Sequence, residues 1–221
     1  MKIAKMSFHG NPNIGLYAYP TDRFCLLGRD VPAQYEQQIS KYLGVPVHRI
    51  NIAGTSLIGA LIAGNSSCLL VPKIAFDEEL KELSRLGINF KVFNSDLTAL
   101  GNNIFCNAHG AVVSDAYSEK EAEELEKILG VKVVRMSIAG AKAVGSAIAA
   151  NSKAGLIHPD ASEEEKRLAE KTLGIPLERT TVNFGNPFVS SGVILNSNGL
   201  IMGEPTTTIE LMQIQDAFQD M

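Results

Sequence analysis

The chain has 221 residues and a mass of 23.8 kDa, with 45% hydrophobic and 20% charged residues and a formal charge of −4. That apolar content and low charge exclude a disordered polymer and a uniformly basic nucleic-acid binder, and leave a globular chain with material for one good core or two small ones. A local basic face is still allowed.

Three cysteines, Cys25, Cys68 and Cys106, are too few and too odd in number for a disulfide framework, so a reducing compartment, the cytoplasm, is expected. Lys5, His9, Asn11 and Asn13 interrupt the N-terminal segment, and no signal peptide is expected. The long uncharged run from Thr180 to Gly203 carries Asn183, Asn186, Pro187, Asn196 and Asn198, which are costly in hydrocarbon, so no membrane span is expected.

In chain order, a strand-like KMSFHG at 5–10 leads to Gly15, the first of five recurring glycines: Gly15, Gly59, Gly101, Gly145 and Gly192. After each comes a β-rich run and an Asx residue, at Asp22, Asn65, Asn107, Asn151 and Asn196. Second strands then follow in CLLVPK (68–73), GAVVSD (110–115), AGLIHPD (154–160) and GLIMGE (199–204), each joined to its predecessor by a turn such as NSS, NAH, NSKAG or NSNG. Repetition at this period marks one supersecondary unit used five times.

Helices are expected at about 30–43, 77–86, 118–129, 162–173 and 207–219. Ser118 with Glu121, and Ser162 with Glu165, fit the capping box that satisfies free amides at a helix start. Apolar stripes recur in Leu80, Leu83 and Leu86, in Ala122, Leu125, Ile128 and Leu129, and in Ile209, Leu211, Met212 and Ile214. The first four helices stop at Leu43-Gly44, Leu86-Gly87, Leu129-Gly130 and Leu173-Gly174, where glycine takes the left-handed cap at little cost. These windows carry more negative charge than the whole chain, so the helical rim is acidic and the strands and loops are net basic. Acidic first turns suit the helix dipole, and the same pattern would keep the rim away from RNA.

The fifth unit lacks its last strand, and KMSFHG matches RINIAG (49–54) and RMSIAG (135–140) position for position. The first strand is therefore expected to complete the fifth unit, which closes a ring and removes the open sheet edge. The fold class is α/β: a closed five-bladed α/β propeller of β-β-α-β modules in a single domain spanning 1–221. Its approximate modules are 11–54, 55–97, 98–140, 141–187, and 188–221 completed by 1–10.

Five modules in this order, with IAGTSLIG, TALGN, VGSAIAANSKAGLIHP and TTVNFGNPFVSSGVILN, strongly resemble the archaeal translation initiation factor 6 family over essentially the whole chain. The resemblance implies a pentein fold and a translation initiation factor that binds the large (50S) ribosomal subunit. It would prevent association with the small (30S) subunit by steric block, and would act in large-subunit biogenesis as well. The implied partners are a ribosomal protein and nearby rRNA on the intersubunit face, met by a monomer that needs no membrane.

In that family the partner-facing surface follows the module glycines at one end of the ring, which here gives Leu16, Ala60, Asn102, Ser146 and Val193, flanked by Asn13, Asn103 and Asn186. Such an uncharged face suits protein contact better than phosphate contact, while the asparagines equally suit turn chemistry. Lys5, Arg49 and Arg135, with Arg179 nearly so, occupy equivalent strand positions. They form an RNA-facing ring or pair with carboxylates such as Asp96, and pairing is preferred.

The same ring architecture carries guanidine-modifying enzymes with a cysteine nucleophile, for which the candidates here are Cys25, Cys68 and Cys106 with His9, His48, His109 and His158. Cys68 and Cys106 lie in apolar strand runs, where cysteine behaves as a small buried hydrophobe, and no catalysis is expected. A scaffold with a non-ribosomal partner is the other alternative. No Walker loop, paired-cysteine spacing or His-x-x-x-His occurs, and no cofactor or metal is expected.

Overall fold

Short apolar runs punctuated by Asn, Ser and Gly turns build five three-stranded sheets in a computed structural model that describes residues 2–218. The first sheet contains Ala18–Pro20, Cys25–Gly28 and Val47–Ile50; the second Ala63–Gly64, Leu69–Pro72 and Phe90–Phe93. The third contains Ile104–Cys106, Gly110–Ser114 and Lys132–Met136, and the fourth Ile148–Ala150, Gly155–Ile157 and Leu177–Arg179. In each, an inner strand pairs antiparallel with the middle strand through a hairpin, and a helical crossover returns the chain to a parallel outer strand.

The fifth sheet takes its inner and middle strands, Val193–Leu195 and Gly199–Gly203, from the end of the chain, and its outer strand, Lys2–Met6, from the beginning. Lys2 stands opposite Gly199 and Met6 opposite Gly203 in parallel register. The two chain ends thus complete one sheet, as the match between KMSFHG and RINIAG predicts.

The outer helices are Gln34–Leu43, Asp77–Arg85, Glu119–Leu129, Glu163–Leu173 and Thr208–Ala217. Ser118 and Ser162 form the expected capping boxes, and Thr207 with Glu210 forms a further one. Gly44, Gly87, Gly130 and Gly174 all lie in the left-handed region that ends a helix.

Each helix fills the wedge between its own sheet and the preceding one. Ile39 and Leu43 pack on Leu27 of the first sheet and on Ile194 and Ile201 of the fifth. Leu83 bridges Leu26 and Val71, Leu125 bridges Leu70 and Val113, Leu173 bridges Val112 and Ile157, and Ile214 bridges Leu156 and Leu200. The core is therefore distributed over five wedges that run right round the ring, and each large side chain fully buried in one contributes about 1.5–3 kcal/mol.

The structure corrects three details of the repeat. The counterpart of Gly15, Gly59, Gly101 and Gly145 in the fifth unit is Ser190, not Gly192: each stands three residues before Ala18, Ile62, Ile104, Ile148 or Val193, where the chain turns extended. In the first hairpin Thr21, not Asp22, occupies the position of Asn65, because Thr21 N donates to Phe24 O as Asn65 N donates to Cys68 O. In the last helix Ile214 is buried, but Ile209 is 71% and Met212 59% exposed, so the apolar run wraps round the helix instead of forming one buried stripe.

Candidate functional site: the turn end of the ring

The outer strands end, the inner strands begin and the outer helices start at one end of the ring, here called the turn end. The hairpin loops and helix C-termini lie at the other. At the turn end the chain enters each inner strand through a short helical turn, at Ile14–Tyr17, Ile58–Leu61, Leu100–Asn103, 144–147 and Val189–Gly192.

These five turns touch each other in a circle, and the contact requires glycine. A Cβ on Gly59 would lie 2.0 Å from the Gly15 carbonyl oxygen, one on Gly101 2.0 Å from that of Gly59, and one on Gly145 2.2 Å from that of Gly101. A Cβ on Gly15 would lie 2.0 Å from the Ser190 carbonyl, and Ser190 N donates to Ser146 O at 3.1 Å, which closes the circle. Spacings of this kind admit no side chain. The end face is consequently built on a rigid backbone ring.

Most of the residues singled out from sequence meet here. Asn102 O accepts from Gly145 N at 2.9 Å, and Asn102 Oδ1 accepts from Ser146 Oγ at 3.1 Å. Asn186 Nδ2 donates to Asn13 Oδ1 at 3.2 Å and to Ser191 Oγ at 2.9 Å, while Asn186 Oδ1 accepts from Phe188 N at 3.0 Å. Asn103 Nδ2 donates to Ala99 O at 2.8 Å. The asparagines therefore hold turns and cross joints between units while remaining partly exposed. Leu16 is half-buried and Ala60 is buried. Val193 is buried at the start of its strand, so the counterpart of Leu16 is Ser191. Ser191 has no signal in the glycine spacing, which points to Gly192, and Leu57, Ala99, Ala143 and Phe188, which lead into the turns, share no residue type that a repeat pattern would mark.

Tight turns precede the face. His9 and Gly10, Ala53 and Gly54, and Ala139 and Gly140 have positive φ, as do three consecutive residues at the end of the fourth unit, Asn183, Phe184 and Gly185. Carboxylates on the outer helices pin three of the four. Glu79 accepts from Ala53 N and Gly54 N at 2.7 and 2.8 Å, Glu165 from Ala139 N at 3.1 Å, and Glu210 from Phe184 N and Gly185 N at 3.2 and 2.9 Å. At the turn that ends 1–10, His9 Nε2 donates to the Asp30 carbonyl at 2.8 Å instead. Burial would push the Glu210 carboxyl up, but donors from the Thr207 amide, the Thr181 hydroxyl, the Gly185 amide and the Thr207 hydroxyl outweigh it and hold the group at about 2.

The strand cations lie on the outer strands, away from the axis. Lys5 Nζ donates to the Thr206 carbonyl, and Arg49 Nη2 to those of Arg29 and Val31. Arg135 Nη2 reaches Asp115 O, and Arg179 Nε reaches Ala161 O at 2.8 Å with Nη1 on Glu163 at 2.6 Å. Asp96 pairs with Lys73 at 2.6 Å. Each strand cation thus straps the loop ahead of a helix.

The hairpin end opens into an axial cavity of about 580 Å³ lined in part by Tyr19, Cys68, Cys106, Asn65, Asn107 and His109. Burial pushes the Cys25 and Cys106 thiols up to about 12 and raises Cys68 as well. Near neutral pH all three are thiols rather than thiolates, the wrong form for a nucleophile. Buried His158 uses Nδ1 to accept from Asp160 N and packs edge-on against Phe188. Among the described residues no group of three or more His, Cys, Asp or Glu is arranged to hold a metal ion, and no helix is long and apolar enough to cross a membrane.

Among solved structures, a histidine-to-glycine variant of dimethylarginine dimethylaminohydrolase, as an adduct with S-methyl-L-thiocitrulline, superposes with a TM-score of 0.55 at 13% identity, covering 80% of this chain and 73% of that one. That likeness concerns the pentein fold alone. Translation initiation factor 6 of Nitrosopumilus maritimus is 47% identical over 219 residues, 99% of each chain. The factors of Pyrococcus furiosus and Pyrococcus horikoshii are 43% and 37% identical over 223 residues, 98% of each chain. These relatives are all named as initiation factors. With residues 3–217 matched by its family model, the chain belongs to the eIF-6 family.

Proposed function

We propose that the chain is a translation initiation factor that works by binding alone: its turn end docks on the large ribosomal subunit and the ring stands where the small subunit would join. The observation that carries this is the glycine-to-carbonyl circle, in which Gly15, Gly59, Gly101 and Gly145 each press against a neighbouring turn. A steric block must keep its shape against a much larger partner, and a face fixed by backbone contact at every joint does so. The names of relatives across the full length of the chain support the ribosomal partner. The same surface would serve a monomer acting in the cytoplasm, on finished large subunits or on those still being assembled.

The face is also suited chemically to protein. Asn13, Asn102, Asn186, Ser146 and Ser191 offer uncharged donors and acceptors around small apolar side chains, and the strand cations are engaged with loop carbonyls. The test is co-sedimentation of the full chain with isolated large subunits, followed by addition of small subunits. The expected result is binding to large subunits only and suppressed joining. Equal joining in its presence, or binding to neither subunit, would defeat the proposal.

A further inference from the structure

We propose that Phe184 is the anchor of the turn end, a rigidly presented aromatic that inserts into an apolar cleft on a protein of the large ribosomal subunit. The inference rests on the docking proposal above and names the side chain that would dominate it.

Its first support is exposure. Phe184 is 81% exposed, the highest value among the exposed large apolar side chains of the described residues. An isolated aromatic in water is unremarkable on a flexible loop, but this one is held out by design of the turn. The bridges Phe8 to Asn11, Ile52 to Thr55 and Ile138 to Ala141 each enclose two residues, whereas Val182 to Asn186 encloses three. Phe184 is the middle residue of that longer turn.

Backbone conformation is the second support. Phe184 has a φ of +64°, where a bulky L-residue is strained. The corresponding turns place only His, Ala or Gly at positive φ. A strained conformer persists only when its surroundings over-determine it, and here they do. Glu210 accepts from Phe184 N and Gly185 N, Thr206 Oγ1 accepts from Asn183 N at 3.2 Å, and Asn183 Nδ2 donates to Pro12 O at 3.0 Å. The ring is thus presented on a fixed backbone, and little freedom is lost when a partner closes over it. Two residues on, Asn186 bonds to Asn13 and Ser191, so the aromatic belongs to the face already described.

Charge selects the partner. Stacking platforms for nucleic acid sit in cationic grooves that track the backbone. The charged group bonded to this turn is the Glu210 carboxylate, and the nearby Lys5 ammonium is engaged with the Thr206 carbonyl. A carboxylate directly behind the ring opposes phosphate, and the setting suits a protein cleft, where a central aromatic is a typical hot spot.

The experiment measures affinity of the full chain for isolated large subunits, using wild type, Phe184→Ala, Phe184→Gly and, at the opposite end, Arg23→Ala. The expected result is at least tenfold weaker binding for both Phe184 variants, thermal midpoints no lower than wild type, and unchanged binding for Arg23→Ala. Wild-type affinity in Phe184→Ala and Phe184→Gly overturns the anchor while leaving the docking proposal standing. Failure of the wild type itself to bind large subunits removes both. Capture by protein-free large-subunit rRNA, lost in Phe184→Ala and falling steeply with salt, assigns the side chain to base stacking and overturns the protein cleft.

Discussion

Asn107 Nδ2 donates to the Leu173 carbonyl at 2.8 Å, tying the hairpin of the third sheet to the last turn of the helix in the fourth unit. The other half of the same amide accepts from His109 N and Gly110 N at 2.9 and 3.1 Å. Asn65 does the same with Leu129, and Asn196 with Leu43. One side chain therefore shapes a hairpin and fastens it to the next unit. Asn107→Ala should lower stability by about 1–3 kcal/mol, because backbone groups on both sides of the joint lose their partner. Urea denaturation at neutral pH measures it, and an unchanged midpoint would contradict the staple.

Thr21 stands in the same position of the first hairpin, but its hydroxyl accepts from Arg23 N and Phe24 N and donates to Phe24 O. It has no amide to offer the helix end at Leu86. Thr21→Asn should supply the missing donor and raise stability by about 0.5–1.5 kcal/mol. An increase in the thermal midpoint is the expected readout; a decrease would mean that the first joint cannot take the geometry of the others.

The repeat was legible because its signals are local. Ser118 and Glu121, the Leu-Gly helix ends and the match of KMSFHG to RINIAG all act within a few residues, and they gave the helices, their stops and the closure. The equivalences that failed depend on where a strand starts or a hairpin closes, which residue type and spacing alone do not show. Gly192 looked like a ring glycine until the strand start at Val193 placed Ser190 in the circle, and Asp22 looked like the hairpin Asx until the Thr21 to Phe24 bond showed the shift. The candidate face was legible only through the family resemblance. Phe184 carried no sequence signal, since its exposure follows from one extra residue in a turn and from a carboxylate 26 positions away.

Gly101→Ala should disrupt the ring. The new methyl would sit 2.0 Å from the Gly59 carbonyl oxygen, with backbone on both sides and no flexible side chain to move away. A loss of at least about 3 kcal/mol is expected, at the upper end of what one substitution does. Gly140→Ala, with nothing within 4 Å, should cost about 1 kcal/mol from its positive φ alone. Comparable losses in the two variants would rule out the close approach as the reason for Gly101.

The depressed Glu210 carboxyl fixes the sign of an acid effect. Its folded value of about 2 lies below the ordinary 4.5, so its contribution is complete above about pH 4.5 and is lost as pH falls toward 2. Glu210→Gln should therefore be less stable than wild type at neutral pH, and the gap should narrow through that window. Denaturation midpoints of the two proteins between pH 2 and 7 provide the check; a gap independent of pH would mean that the carboxylate charge is not what holds the turn.

Thiol chemistry gives an independent check on the absence of catalysis. Because burial raises all three thiols, native protein at pH 7 should react with iodoacetamide far more slowly than the same chain in denaturant. Peptide mapping after brief labelling would show it, and one rapidly alkylated cysteine in the native state would reopen the enzymatic alternative.

Sharing the fifth sheet between Lys2–Met6 and Gly199–Gly203 sets the timing of maturation. During synthesis the first strand emerges long before its partner exists, and at roughly 5–20 residues per second it waits on the order of 10–40 s. Until then Met6 and Phe8 have no sheet to cover them, and the ring has a gap where the first helix should wedge against the fifth sheet. The circle of sheets is thus an all-or-none object: no shorter stretch of the chain contains the pair of strands that completes it.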